Sequence, residues 1–157
     1  MEQYPTRETV NEWDDASLLA TVGSASTIRY LNHGFGDLNH GERALCCFNL
    51  LESCFNNGGP GHWVESICPE MAVAAPKLLL MVGAEEMASF VVDVLLPMKS
   101  QAEVSTKEDW VELYTSMPDE AHEAWETMLP RYGELEKQFL ALAYAFARNR
   151  WEEVRRA

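Results

Sequence analysis

Positive charge is scarce in this sequence, and a long apolar segment is missing. Twelve Lys and Arg residues stand against 25 Asp and Glu residues, which gives the 157-residue chain a formal net charge of −13. Such a surface repels the phosphates of DNA, RNA and anionic lipids, so we expect no direct contact with nucleic acid or membrane. The longest apolar stretch, residues 71–84, is interrupted by Pro76 and Lys77, whereas a bilayer span needs about 20 apolar residues. The N-terminus lacks a basic segment followed by an apolar one, which favours a cytoplasmic location over export.

Metal-binding and catalytic motifs are also missing. The four cysteines are not spaced as Cys-x-x-Cys, so we interpret them as reduced thiols that pack like small apolar groups. Two pairs, His62 with Glu65 and Asp119 with His122, have the spacing of half a carboxylate-bridged dimetal site, but the second half is not found. No nucleophile motif surrounds any serine, cysteine or histidine. The sequence therefore predicts no cofactor, no metal and no enzymatic activity. The cysteines are Cys46, Cys47, Cys54 and Cys68.

Apolar residues recur at helical spacing along the whole chain and strand signals are almost absent, so the sequence predicts an all-α fold. The length suffices for one hydrophobic core and not for two ordinary domains, so residues 1–157 are interpreted as a single compact domain of about seven to eight helices. A break at Gly23 separates the first two helices. The predicted helices cover residues 6–21, 26–32, 39–57, 71–82, 84–97 and 133–150, with a short helix after Pro60 and two more in residues 105–129.

Glycines mark two turns between helices. Asn57, Gly58 and Gly59 should end one helix, because glycine accepts the left-handed conformation just past a helix end. Pro60 suits the first turn of the helix that follows, where its missing N–H is no loss. We expect Gly58 to have the positive φ angle, so that Gly58→Val would cost more than about 1 kcal/mol. Gly83 should close the helix of residues 71–82.

Capping signals locate the two helices that follow a polar loop at residues 99–105. Ser105 stands three residues before Glu108, which is the spacing of a capping box at a helix start. Ser116 and Asp119 repeat that spacing. The sequence therefore predicts two short helices in this part of the chain, each beginning at a serine.

Acidic residues are concentrated in these two helices. Residues 103–126 hold eight acids and one base, Lys107, a net charge of −7. On a helix Asp119, Glu123 and Glu126 share one side over about 10 Å, and a DNA duplex of that length carries about six charges. A DNA-like surface would therefore also need the helix around Glu108 or a second subunit. The candidate protein-binding residues are Glu108, Asp109, Glu112, Asp119, Glu120, Glu123 and Glu126. The alternative is a solvated face that only aids solubility.

The residues 51–66 and 78–88 contain Asn57-Gly58-Gly59, the aromatic Trp63 and the step from Val82 to Ala84. This pattern, over about residues 37–148, resembles a bacterial family of domains of otherwise unknown function that includes a DNA-mimic protein. Pro60, His62 and Val64 stand where that pattern has Phe, Gln and a second aromatic residue. The resemblance implies a compact α-helical protein whose acidic surface takes the place of DNA phosphates on a DNA-binding protein. It leaves open whether the protein is a monomer or a homodimer.

Charge and resemblance together favour an acidic protein-binding module that acts as a DNA mimic. Its partner would be a basic DNA-binding protein or another basic protein. Two alternatives stay open. One is an immunity or antitoxin-type inhibitor of a basic nuclease or toxin, and the other is a small uncharacterised enzyme.

Overall fold

Helices occupy most of the chain, as the spacing of apolar residues predicts. The computed structural model describes residues 4–99 and 104–155, and 82% of this part is helical, with no strand in it. The all-α prediction is therefore confirmed. The seven α-helices of the described part are α1 (Asp15–His33), α2 (His40–Ser66), α3 (Pro69–Met81), α4 (Glu85–Lys99), α5 (Lys107–Thr115), α6 (Asp119–Glu126) and α7 (Leu129–Arg150).

Helix α2 lies at the centre and contacts α1, α3, α5, α6 and α7. It contributes Phe48 and Trp63 to the core, which also contains Phe90 of α4 and Phe139 of α7, and all four residues have less than 2% of their surface exposed. The ring of Phe139 meets Phe48 edge to face at a centroid distance of 5.7 Å. The acidic helices α5 and α6 are among the helices that pack on α2.

The first half of α2 begins at a capping box. The side chain of Asn39 accepts a hydrogen bond from the Glu42 amide, and the Glu42 carboxylate accepts one from the Asn39 amide, both at 2.9 Å. Glu42 is fully buried, and Arg155 near the other end of the chain pairs with it at 2.6 Å. The start of α2 is thus joined to the C-terminal segment.

The second half of α2 follows a kink at Gly59. Gly59 has φ +73° and is the non-helical residue inside α2, and Pro60 follows it in a first helical turn. Gly58 is not among the glycines with positive φ, so the prediction for Gly58, and with it the reason given for Gly58→Val, was wrong. The helix continues one residue further than expected, because only the residue directly before Pro60 has to leave the helical conformation. Gly83 does end α3 with φ +82°, as predicted.

Helix α1 runs straight through Gly23, so the predicted break there was wrong. The helix begins after Asp14, whose carboxylate accepts hydrogen bonds from the amide and hydroxyl of Ser17 at 2.8 and 2.7 Å. A Cβ atom at Gly23 would lie 2.7 Å from the Cβ of Asn49 on α2. Gly23 is therefore required for close packing of α1 on α2 and not for a turn. Of the predicted helix at residues 6–21, residues 15–21 belong to α1, whereas the part before Asp14 forms turns and a 3₁₀ segment, Val10–Glu12.

The caps of the two acidic helices also differ from the prediction. Thr106, not Ser105, is the N-cap of α5, and its hydroxyl accepts a hydrogen bond from the Asp109 amide at 3.1 Å. Ser116 lies at the end of α5, where its hydroxyl donates to the carbonyl of Leu113 at 2.9 Å. Pro118 precedes α6 without a side-chain cap. Serine and threonine occur as hydrogen-bonding residues at both ends of helices, so spacing alone misplaced these two N-caps by one and two residues.

Other predicted boundaries differ slightly. Helix α3 begins at Pro69, α4 continues through Pro97 to Lys99, and α7 begins at Leu129 with Pro130 in its first turn. A proline in the first turn loses no hydrogen bond, because the N–H groups there have no partner within the helix. Residues 100–103 of the predicted polar loop, including Glu103, lie outside the described residues.

Candidate protein-binding face

Helix α5 is placed by its first turn, which satisfies carbonyl groups at the end of α2. The Nζ of Lys107 donates to the carbonyl oxygens of Glu65 and Ile67 at 2.6 and 2.5 Å. The indole Nε1 of Trp110 donates to the carbonyl oxygen of Val64 at 2.8 Å. The last carbonyls of a helix lack donors within the helix and carry partial negative charge. A lysine and a tryptophan spaced one turn apart therefore fix α5 against α2.

Helix α6 is held by a buried tryptophan. The side chain of Trp125 is 2% exposed, and its Nε1 donates to the carbonyl oxygen of Val94 on α4 at 2.8 Å. Tyr114 of α5 stacks on the Trp125 ring at 5.8 Å with an angle of 14° between the rings. The two acidic helices are therefore neighbours, and each turns its apolar side to the core and its other sides to solvent.

All seven acids of the candidate face are exposed. None of their carboxylates forms a salt bridge with any residue in the described part of the chain. Six arginines form salt bridges of 2.5 to 2.7 Å with acids elsewhere. These six arginines pair with acids outside α5 and α6, although some other exposed acids of the described part, such as Glu8 and Glu134, also form no salt bridge. The six pairs are Arg7–Glu152, Arg29–Asp37, Arg131–Asp93, Arg148–Asp15, Arg150–Glu153 and Arg155–Glu42.

Part of this acidity has a local structural explanation. Glu108 and Asp109 lie in the first turn of α5, and Asp119 and Glu120 in the first turn of α6, where the helix dipole favours negative charge. The same dipole disfavours acids near a helix C-terminus, where α6 carries Glu123 and Glu126. Helix formation accounts for acids at the start of each helix and not for those at the end of α6.

Lys107, the single base within residues 107–126, does not contact these acids. Its ammonium group is held against backbone carbonyls, and burial lowers the pKa of Lys107. The sequence alone placed one cation among the acids of this segment. The structure places that cation on the core side, which leaves the solvent side acidic.

A cleft opens between the α2 kink and the last turns of α5 and α6. We call it the kink cleft; its volume is about 590 Å³. It was not predicted, although the sequence singled out His62, Glu65 and His122, which the structure brings to this one place. Asp119 is not among its lining residues. The lining residues are Gly58, Gly59, Pro60, Gly61, His62, Glu65, Tyr114, His122, Trp125, Glu126 and Leu129.

The cleft does not resemble a metal centre. Across residues 4–99 and 104–155, no group of three or more His, Cys, Asp or Glu side chains is placed to hold a metal ion. His122 instead meets the rings of Tyr114 and Trp125 edge-on, at centroid distances of 5.2 and 5.4 Å. The imidazole is thus part of an aromatic cluster.

All four cysteines are free and buried. Burial raises the pKa of the Cys46 thiol to about 12, and burial likewise raises the pKa of Cys47, Cys54 and Cys68. A thiol with a raised pKa is a poor nucleophile and a poor metal ligand at neutral pH.

These features define an all-α protein in which two neighbouring helices carry seven exposed acids that form no salt bridge within the described part of the chain. A family model described as DMP19-like protein matches residues 36–153, so the chain belongs to the DMP19-like family, in which DMP19 stands for DNA mimic protein 19. The predicted resemblance is therefore confirmed for the family. No curated protein and no solved structure matches the chain. No helix in the described residues is long and apolar enough to cross a membrane.

Proposed function

We propose that this protein binds a basic DNA-binding protein through α5 and α6 and occupies the surface that would otherwise contact DNA. The observation that carries the proposal is the concentration of seven exposed carboxylates on two neighbouring helices, none of which forms a salt bridge among the described residues, while six arginines pair with acids outside these helices. The family name fits this role. The role is one of binding and needs no catalytic step.

The number of charges supports a mimic of duplex DNA. The acids on one side of α6 span about 10 Å, and a duplex of that length carries about six phosphate charges. The stacking of Tyr114 on Trp125 brings α5 beside α6, so one subunit supplies seven carboxylates on two neighbouring helices. A second subunit would extend the face further.

Charge reversal tests the proposal once the partner has been captured from the native lysate. The variant Asp119→Lys, Glu123→Lys and Glu126→Lys changes the charge of the face by six units. A control variant makes the same change at Glu8, Glu12 and Glu134, which are exposed and lie outside the face. We expect the face variant to associate at least about tenfold more slowly than the control at low salt.

Two further measurements vary the salt concentration and add duplex DNA as a competitor. Affinity should fall as salt shortens the screening length from about 10 Å at 0.1 M to about 3 Å at 1 M. Duplex DNA should compete for the partner. Equal binding of the face variant and its control, together with no competition by DNA, would refute the proposal. A captured nuclease or toxin that loses its activity on binding would favour the inhibitor alternative over the mimic.

A further inference from the structure

The kink cleft lies at the edge of the acidic face and differs from it in shape. The face consists of exposed side chains on two helices, whereas the cleft is a concave space of about 590 Å³. Glu126 belongs to both, so a partner that covers the face also covers the mouth of the cleft. A protruding side chain of that partner is then the natural occupant.

Glycines keep the cleft open. The turn through Gly58 and Gly59 forms one border, with Gly59 at φ +73°. A Cβ atom at Gly61 would lie 3.4 Å from the Cε3 of Trp125 and 3.4 Å from the hydroxyl of Tyr114. Any longer side chain at position 61 would therefore enter the space beside the two rings.

Aromatic rings form a fixed wall of the cleft. The Trp125 ring is held by its hydrogen bond to Val94, and Tyr114 stacks on it nearly in parallel. Flat aromatic faces attract cations, and the planar guanidinium group of arginine stacks on them better than the ammonium group of lysine. This wall exists before any ligand arrives.

Negative charge accompanies the wall. Glu65 and Glu126 line the cleft, and neither forms a salt bridge within the part of the chain that the structure describes. Burial and the nearby charge of Glu65 raise the pKa of Tyr114, which agrees with a Glu65 carboxylate close to the tyrosine. Two carboxylates beside an aromatic wall favour a cation and repel an anion such as phosphate.

We propose that the kink cleft receives one arginine side chain of the basic partner, with the guanidinium group against the half-buried ring of Tyr114, which is backed by the buried Trp125, and paired with Glu65 and Glu126. The inference rests on the proposed function, because it takes the arginine from the protein that the acidic face binds. It adds a specific anchor to an attraction that otherwise depends only on charge.

Small peptides test the cleft without the partner. The probes are acetyl-Gly-Gly-Arg-Gly-Gly-amide and the same peptide with lysine or citrulline, the neutral counterpart of arginine. Binding is followed by NMR through the Trp125 indole N–H signal and the Tyr114 ring signals. We expect saturable shifts with the arginine peptide, weaker binding of lysine and none of citrulline. Equal binding of citrulline, no shift of these signals with arginine, or shifts caused by inorganic phosphate instead, would overturn the inference.

Matched variants distinguish specific binding in the cleft from general electrostatic attraction to the acidic protein. The variant Glu65→Gln with Glu126→Gln removes two charges from the cleft, and Glu108→Gln with Glu120→Gln removes two charges from the face outside it. The cleft variant should bind the arginine peptide about tenfold more weakly than wild type, because each of its two substitutions removes a charged hydrogen-bond acceptor. The control should stay within about twofold of wild type, because exposed charges at a distance are screened. Equal losses in both variants would overturn the inference.

Binding of the captured partner shows whether the arginine anchor or the proposed function is wrong. If the cleft variant binds the partner like wild type while charge reversal of the face abolishes binding, the arginine anchor is wrong and the mimic stands. If the arginine peptide binds the cleft but charge reversal leaves partner binding unchanged, the proposed function falls.

Discussion

The Nζ of Lys107 donates a hydrogen bond to the carbonyl oxygen of Ile67 at 2.5 Å. Ile67 is the C-cap of α2, so the one cation among the acids of α5 and α6 completes the end of a different helix. The same side chain that joins α5 to the core is thereby withheld from the acidic face. Lys107 therefore contributes both to the attachment of α5 and to the acidity of its solvent side.

Replacing Lys107 by Met should lower the free energy of unfolding by about 1 to 3 kcal/mol, since hydrogen bonds that involve a charged group contribute that much. Lys137→Met is a matched control, because it removes the same charge from an exposed position on α7. Urea unfolding of both variants checks the prediction. Equal stability of the two variants would mean that only the lost charge matters and that the carbonyl contacts contribute nothing.

Gly59→Ala should destabilise the protein by about 1 to 2 kcal/mol, because an alanine at φ +73° is forced into the left-handed region. The added Cβ would also lie 3.3 Å from Leu129. The same substitution at Gly133, inside α7 with open space around it, should stabilise the protein by up to about 1 kcal/mol. Thermal unfolding of both variants compares the two. A neutral Gly59→Ala would contradict the positive φ.

The fold class and the acidic face follow from local patterns in the sequence. Apolar spacing predicts helices because an amphipathic helix must bury one side, whatever its partner is. The exposure of the seven acids follows from their charge, since charged side chains with no partner stay in water. Both properties depend on near neighbours in the sequence, which is why no knowledge of the tertiary contacts was needed.

Properties that depend on distant contacts were missed. From the sequence, Gly23 predicts a break between two helices, whereas its actual role depends on Asn49, which lies against it. The kink cleft joins residues of α2, α5 and α6, so its halves are about 60 residues apart in the sequence. The role of Lys107 depends in the same way on carbonyl groups about 40 positions earlier. Spacing rules describe one element at a time and cannot reach such pairs.

Because Glu42 is buried and paired, we expect the free energy of unfolding to fall in acid. Burial opposes ionisation of Glu42, but hydrogen bonds from Arg155 and Asn39 outweigh it and hold the pKa of the carboxyl below its ordinary value. The folded protein therefore binds this proton less readily than the unfolded chain. The stabilisation is complete above the unfolded pKa of about 4.3 and is lost as the pH falls through the lower folded pKa.

The variant Glu42→Gln should unfold more easily than wild type at pH 7, by about 1 to 3 kcal/mol, and the difference should shrink as the pH falls below about 4.3. Glu134→Gln, which changes an exposed residue of α7, serves as the control and should follow wild type at pH 7. Urea midpoints between pH 7 and pH 2.5 provide the measurement. A difference between Glu42→Gln and wild type that is the same at pH 3 and pH 7 would refute this origin of acid sensitivity.

The two ends of α6 should respond oppositely to the loss of charge. Asp119 and Glu120 lie in its first turn, where the dipole favours acids, whereas Glu123 and Glu126 lie near its C-terminus, where the dipole disfavours them. We expect Glu123→Gln with Glu126→Gln to raise the melting temperature by about 1 to 3 °C, and Asp119→Asn with Glu120→Gln to lower it by a similar amount. Both variants remove two charges, so overall repulsion changes equally.

Residues that lower the stability of the free protein are expected at functional sites, and partner binding would explain the acids at the C-terminal end of α6. The Glu123 and Glu126 variant should therefore be more stable but bind the captured partner more weakly than wild type. Melting temperature and affinity, measured on the same preparations at low salt, test this opposition. If the variant gains stability and keeps full affinity, the C-terminal acids of α6 are only a solvated surface, and the binding face is confined to the remaining carboxylates.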